Sequence, residues 1–394
     1  MLGFLGKFNG KCLQKPVPRR NQMNDDKLIF DAPDIPEADA KGQAEIADTF
    51  TAAEKVAFIG AGAGGCRVAD AFWKLGYRRV LALNTTDQDM AQLACPNRLI
   101  IGAASGAGKD PAKGKLAVEA EMGTVVDKMR EVFGPAKRIL ICCGGGGGTG
   151  TGAAIPLIEA AKRYADATGM EKKIGLIVTV PKRTESAKVQ GNAYHLLAEL
   201  FSLVDAGSIS PLILIDNDTV IGQFPKLSAG PAYWATINDY VARLYHAFNL
   251  LAGRESDMEV FDPQEYRSVL ESGFVVFGAA RIDAMDRSSI SESMRKALQA
   301  NFLSEGVDFG TAKFAAALAV ANAETLDKIP RDDIDHAISM LAQFLKVETV
   351  CLGIYEGNNP DLRLYTIVGG LEAPHARLAD LQKRGMIEEN GKEG

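Results

Sequence analysis

The sequence predicts an α/β protein: a parallel sheet with helices on both faces, then one long helix, then a smaller α+β region. Three observations predict it. Short apolar runs without period-2 alternation recur between helical segments, as strands buried on both faces do. One amphipathic stretch, residues 231–253, is long enough to separate two regions. The chain also carries 40 glycines in 394 residues, where average usage of about 7% gives roughly 28. Fourteen of the 40 (60, 62, 64, 65; 102, 106, 108; 144–148, 150, 152) fall in three loops and cover that surplus.

Residues 55–59 are an apolar strand running into Gly60-Ala61-Gly62-Ala63-Gly64-Gly65, and residues 66–75 read as a helix. A second strand, 79–83, closes on Asn84-Thr85-Thr86-Asp87, and 99–101 is a third. The spacing predicts one long helix over 111–133. Residues 138–143 are a fourth strand, followed by a glycine run and a helix over 153–164. Strands at 174–180 and 212–215 complete the first region. Cys142 and Cys143 sit at a buried strand end, where they read as core thiols.

In the long helix Pro231 takes the first turn, Ile237, Val241, Leu244, Phe248 and Leu251 share a face, and Gly253 ends it. Strands at 274–280, 315–320, 349–355 and 363–368, with helices at 289–303 and 332–345, form the second region. The organisation read from this is a charge-segregated tail over 1–50, a sheet domain over 51–230, the helix 231–253, an α+β domain over 254–373 and a loosely held tail over 374–394.

Composition excludes several classes. A net charge of −6 leaves no global basic field, so no nucleic-acid partner is expected. Six cysteines without a C-x-x-C pair are no disulfide framework and read as reduced thiols of a cytoplasmic protein. The four histidines lie far apart, and no structural metal is expected. No apolar run reaches the ~18 residues of a membrane span. Residues 1–20 carry five basic residues and no acid, and read as a solvated tail, with a weak membrane or adaptor contact as the alternative.

Gly60-x-Gly62-x-x-Gly65 between strand and helix fits a dinucleotide fingerprint, the pattern of an NAD-dependent oxidoreductase. That site wants an acid closing the second strand, where this chain has Asn84. The Walker A pattern fails as well, since Ala103 and Asp110 replace its first glycine and its Ser/Thr. Gly144 to Gly152 carries more weight. Seven glycines at roughly 0.5–1 kcal/mol each would cost several kcal/mol, which argues that the backbone itself is in use. Without Cβ atoms, its N–H groups can face a polyphosphate, aided by the following helix N-terminus.

Here the chain resembles the tubulin/FtsZ family of polymerising GTPases, as an atypical member nearer FtsZ and CetZ than the eukaryotic tubulins. Gly146-Gly147-Gly148-Thr149-Gly150-Thr151-Gly152 matches the family signature. Asn84-Thr85 is similar to its second loop, and Gly106-Ala107-Gly108-Lys109-Asp110-Pro111 to its third. Pro181 with Glu185 is similar to its ribose-contacting loop, and Asn238-Asp239 to the pair that reads the base. The resemblance covers about residues 55–371, and Phe72-Trp73 is the one tubulin-like touch. It implies a GTP-binding cytoskeletal protein that polymerises head to tail with itself, in cell division or cell shape, with GTP/GDP as ligand and Mg2+ held mainly by phosphates and water. It further implies nucleotide contacts at Gly62, Ala63, Gly64, Gly65, Cys66 and Arg67, and at Asn217.

Guanine presents two adjacent donors, which a carboxylate such as Asp239 accepts side by side, whereas adenine presents an acceptor at N1. From Asp239 to Gly253 the helix advances about 21 Å, so Asp262 and Glu265 beyond it cannot reach phosphates bound by the same subunit. The resemblance makes them the two acids that complete the next subunit's site in an open filament. Five positions depart from the FtsZ pattern: Val260 for asparagine, Thr86 for aspartate, Cys66-Arg67 for Gly-Asn, and Val189 for a phosphate-side arginine. A member that binds nucleotide without hydrolysing it is therefore the alternative.

Overall fold

The computed structural model describes residues 52–222, 224, 230, 232–282, 290–293, 295–296 and 306–386. The tail over 1–50, Pro231, most of the helix expected at 289–303 and the last eight residues lie outside them. The strands are β1 (Val56–Ala61), β2 (Val80–Asn84), β3 (Arg98–Ile100), β4 (Arg138–Gly144), β5 (Ile174–Val180), β6 (Leu212–Asp216), β7 (Phe274–Ile282), β8 (Phe314–Ala321), β9 (Cys351–Glu356) and β10 (Leu362–Leu371). The helices are α1 (Gly62–Lys74), α2 (Pro111–Ala120), α3 (Met122–Phe133), α4 (Thr149–Thr168), α5 (Ala187–Asp205), α6 (Asn217–Gly222), α7 (Tyr233–Leu251), α8 (Pro263–Leu270), α9 (Ala323–Leu326), α10 (Arg331–Leu345) and α11 (His375–Gly385).

The α/β class and the covered parallel sheet are as expected. Alternate residues of β1 divide between two cores: Ala57 and Ile59 face the cluster that contains α3, α4 and α5, while Val56 and Phe58 face that of α1, α7 and α8. The first six strands run β3-β2-β1-β4-β5-β6, all parallel. In such a sheet ligands bind beyond the carboxyl ends of the strands, where the order reverses, here at β1 and β4. The second region does not form a separate sheet. β7 pairs with β6 through Leu212↔Phe274 and Ile213↔Val275, so ten strands make one sheet that continues β7-β10-β8-β9.

Four expectations are corrected. The helix expected over 111–133 is two, broken at Glu121 (φ −114°, ψ 24°), whose carboxylate turns away to accept from the Gly102 N–H at 2.6 Å. α1 and α4 begin inside the glycine runs, at Gly62 and Thr149 rather than at 66 and 153. α5 was not anticipated; Gly191, a poor helix former, lies in its second turn. The tail expected to be loose from 374 instead holds α11, which packs along α5 and buries Arg377 and Leu381.

The start of the described chain is pinned beneath the sheet. Glu54 makes a two-pronged bond with the buried Arg138 (2.7 and 3.2 Å), and its backbone N–H donates to Asn249 Oδ1 on α7 at 2.9 Å. One turn earlier, the wholly buried His246 shares a hydrogen bond with the Tyr77 hydroxyl at 3.1 Å. Burial and the nearby Arg243 push its pKa from 6.5 down to about 4. Between these values the unfolded chain holds the extra proton and the folded chain does not. Stability is therefore lost as pH falls from 6.5 towards 4, by roughly 3 kcal/mol over the full window. In urea denaturation across that range, His246→Asn is expected to flatten the dependence; an unchanged slope would assign the loss to other groups.

Candidate nucleotide site

At the carboxyl ends of β1 and β4 lies a cavity of about 370 Å³ whose wall is mostly backbone. The turn into α1 contributes Gly62, Ala63 and Gly64; the loop before α2 contributes Gly106, Ala107 and Gly108; and Gly146, Gly147, Gly148, Thr149 and Gly150 close the floor. Asn84, Glu185 and Asn217 complete the expected set on this wall. Both α1 and α4 start without a side-chain cap. The first N–H groups of each helix have no partner within it, so two positive helix ends meet at one cavity. Lys109 is the one basic side chain among the described lining residues, against Asp89 and Glu185. An anion here would be held by peptide groups more than by side-chain charge.

The glycines divide into two kinds. A Cβ on Gly65 would lie 2.0 Å from the Cys142 carbonyl oxygen, and one on Gly152 would lie 1.9 Å from that of Pro111. Those two glycines let α1 press onto β4 and α4 onto α2. A Cβ on Gly147 would meet nothing within 4 Å, and one on Gly64 only Gly144 Cα at 4.0 Å. Nothing in the protein demands glycine at these two positions, and both line the cavity. That combination fits a ligand that closes on the backbone, as a polyphosphate does.

Other expected residues lie off this wall. Cys66 is fully buried, and its thiol donates to the Gly60 and Leu83 carbonyls at 3.3 and 3.4 Å. Burial pushes it up to about 12, so it packs and does not ionise. Gly65 is buried under Cys142. Thr151 Oγ1 donates to the Gly144 carbonyl at 3.0 Å, tying the start of α4 to the end of β4. Thr151 and Gly152 line a neighbouring cleft between α2, α4 and α5.

Arg67, Asn238 and Asp239 line a second cavity of about 600 Å³, together with Trp234. Asp89 lines both cavities, so they adjoin at that residue. Within its helix Asp239 Oδ2 accepts from Arg243 Nε at 2.7 Å. The sequence reading passed over Asp89, although it lies two residues beyond Asp87; its carboxylate accepts from Asn84 Nδ2 at 3.2 Å. Val189 stands on the first cavity wall, and its Cγ1 lies 2.3 Å from where a Gly146 Cβ would be.

Asp262 and Glu265 are on neither wall. They form the capping box of α8: Asp262 Oδ1 accepts from the Gln264 N–H at 2.6 Å, and Glu265 Oε2 from the Asp262 N–H at 3.0 Å. Pro263 at the first helical position completes this start. Asp262 is exposed and Val260, two residues before it, is 46% exposed. Burial, with the charge of Glu265 beside it, pushes the Cys351 thiol up to about 12. Among the described residues, no three or more His, Cys, Asp or Glu are grouped to hold a metal ion, and no helix is long and apolar enough to cross a membrane.

Residues 55–224 match the family model described as the GTPase domain of the tubulin/FtsZ family. Cell division protein FtsZ 1 of Pyrococcus abyssi is 27% identical over 278 residues, 68% of each chain. The tubulin-like protein TubZ of Bacillus cereus is 25% identical over 238 residues, 55% of this chain and 53% of TubZ. In fold, the chain superposes on TubZ of Bacillus thuringiensis serovar israelensis, in a GTPγS-form protofilament, with a TM-score of 0.76 at 20% identity; this covers 87% of the chain and 94% of TubZ. CetZ2 of Haloferax volcanii, in a GTPγS-bound protofilament, gives 0.70 at 21% identity over 86% and 99%. A cavity floored by the glycine signature, a parallel sheet beneath it and the family match converge on one assignment: residues 55–224 are a GTPase domain of the tubulin/FtsZ kind.

Proposed function

We propose that this protein binds a guanine nucleotide across the two adjoining cavities and hydrolyses GTP where one subunit meets the next in a head-to-tail filament. The observation that carries this is the backbone-lined cavity with two uncapped helix ends, next to a second cavity holding Asn238 and Asp239. Phosphates fit the first through the N–H groups of Gly62–Gly64, Ala107, Gly108 and Gly146–Gly150, while that of Gly106 donates to the Thr85 carbonyl at 2.9 Å. In the second, the Asp239 carboxylate matches the paired donors of guanine, and Trp234 supplies an aromatic face. Magnesium would arrive with the nucleotide, carried by phosphate oxygens and water, and would offset phosphate charge.

Asp262 and Glu265, absent from both walls, are the two acids assigned to the neighbouring subunit's site, where they would orient the attacking water. A cytoplasmic filament serving cell division or cell shape is the cellular role in keeping with this reading. Specific GTPase activity is expected to rise with protein concentration and to level off once filaments form. Activity per molecule that stays constant over a hundredfold dilution would sink the shared site.

A second reading, a filament that binds nucleotide without turning it over, is favoured by one observation. Asp262 and Glu265 already have a structural job in the capping box of α8, and Val260 leaves an exposed apolar side chain beside them. Electron microscopy with GTP, GDP and a slowly hydrolysed analogue separates the two. Filaments that form with GTP and persist unchanged after hours without phosphate release would support the second.

A further inference from the structure

Arg377 of α11 is 1% exposed and reaches the first cavity from behind its wall. Its Nε donates to Asp216 Oδ2 at 2.6 Å and its Nη2 to the Pro181 carbonyl at 2.7 Å. Pro181 and Asn217 line the cavity, so each bond ends at a wall residue or one residue from it. The other oxygen of Asp216 accepts from the Asp218 N–H at 2.9 Å and fixes the corner between β6 and α6.

A second tier holds the loop between β5 and α5. Asp380 accepts from Arg377 Nη1 (2.9 Å), Arg183 Nε (3.0 Å) and Arg384 Nε (2.7 Å). Arg384 also donates to the Arg183 carbonyl at 3.2 Å, and the Arg183 N–H donates to Asp218 Oδ2 at 2.8 Å. The helices themselves cross closely, since a Cβ on Gly385 would lie 2.8 Å from Gly191 Cα on α5. Apolar side chains could dock α11 without the desolvation cost of a buried arginine. What they could not do is hold a carbonyl and a carboxylate on two separate wall segments at once. A guanidinium, with five donors in one rigid fork, can.

We propose that α11 is a strap on the nucleotide site, and that Arg377 is a positioning residue that holds the loop after β5 and the Asp216–Asn217 corner in the shape that retains a guanine nucleotide. This rests on the guanine-nucleotide reading above. The strap acts on how long the ligand stays; the reacting end of the nucleotide lies with the glycine loops and the neighbouring subunit.

The test uses the full-length protein loaded with a fluorescent GDP analogue and chased with excess GDP. Arg377→Met is expected to speed release about tenfold, the scale of hydrogen bonds to a charged group. Asp380→Asn strips the second tier of its charge and of one of its two acceptor oxygens, and it leaves Arg377 paired with Asp216, so it avoids a buried unpaired charge. It is expected to speed release about threefold. In both, the KM for GTP rises while kcat is unchanged, a split that a general loss of stability does not produce. If Arg377→Met does not fold, Asp380→Asn decides. Asp380→Asn with a wild-type thermal midpoint and wild-type release overturns the strap. Wild-type protein that takes up no guanine nucleotide overturns the reading beneath it, and the strap falls with that reading; this result is read before any variant is made.

Discussion

Replacing Asp262 with asparagine is expected to lower GTP turnover by about 10²- to 10⁴-fold, the range for losing a group that moves or orients a proton. Nucleotide affinity and thermal stability should stay near wild type. The choice of asparagine follows from the structure. Asp262 Oδ1 caps α8 by accepting from the Gln264 N–H, a task asparagine performs about as well. Alanine removes the cap too and is expected to cost about 1 kcal/mol of stability, which would confuse a loss of activity with a loss of fold. Glu265→Gln is the matching change on the other half of the capping box, since its amide oxygen can still accept from the Asp262 N–H. Neither residue is on the wall of either cavity, so GDP binding is the internal control. Full turnover in Asp262→Asn would reduce this pair to helix capping, whereas wild-type protein that itself releases no phosphate would favour the non-hydrolysing reading.

The glycine run is expected to separate into positions that fold the protein and positions that bind the ligand, with opposite signatures. Gly152→Ala puts a Cβ 1.9 Å from the Pro111 carbonyl oxygen and 2.7 Å from the Lys115 nitrogen. Backbone cannot swing aside as a flexible side chain would, so α2 and α4 must part. A stability loss of about 3 kcal/mol or more is expected in chemical denaturation. Gly147→Ala meets no atom within 4 Å. It should leave the denaturation midpoint within about 0.5 kcal/mol of wild type and weaken GDP binding by tenfold or more, about 1.4 kcal/mol. Titration of the two variants with a fluorescent nucleotide checks this. Wild-type affinity in Gly147→Ala would mean that the ligand does not approach the floor of the cavity there.

The parts of the fold readable in the sequence are those set by neighbours along the chain. Strands β1, β4, β5 and β6 declared themselves as continuous apolar runs, and β5 lies at the expected residues 174–180. The glycine signature was legible because missing side chains are visible in any sequence. The breaks were not. Glu121 interrupts a helical pattern because its carboxylate finds the Gly102 N–H, a contact that no periodicity records. α5 was not read from the sequence at all, and its Gly191 is where Gly385 of α11 crosses it. The charged sequence of α11 reads as a loose tail until Arg377 is seen buried against Asp216.

The sequence by itself therefore determined the order of strand, loop and helix, the glycine-lined turns and the family they belong to. These follow from backbone freedom and side-chain pattern, which are local. Only the tertiary structure decided which glycines face open space and which are squeezed between backbones. It alone took Cys66 off the wall and added Asp89 where two cavities meet. The physical reason is the same in each case: a contact between segments far apart in the chain depends on how closely packed surfaces approach, and no single segment carries that distance in its own residues.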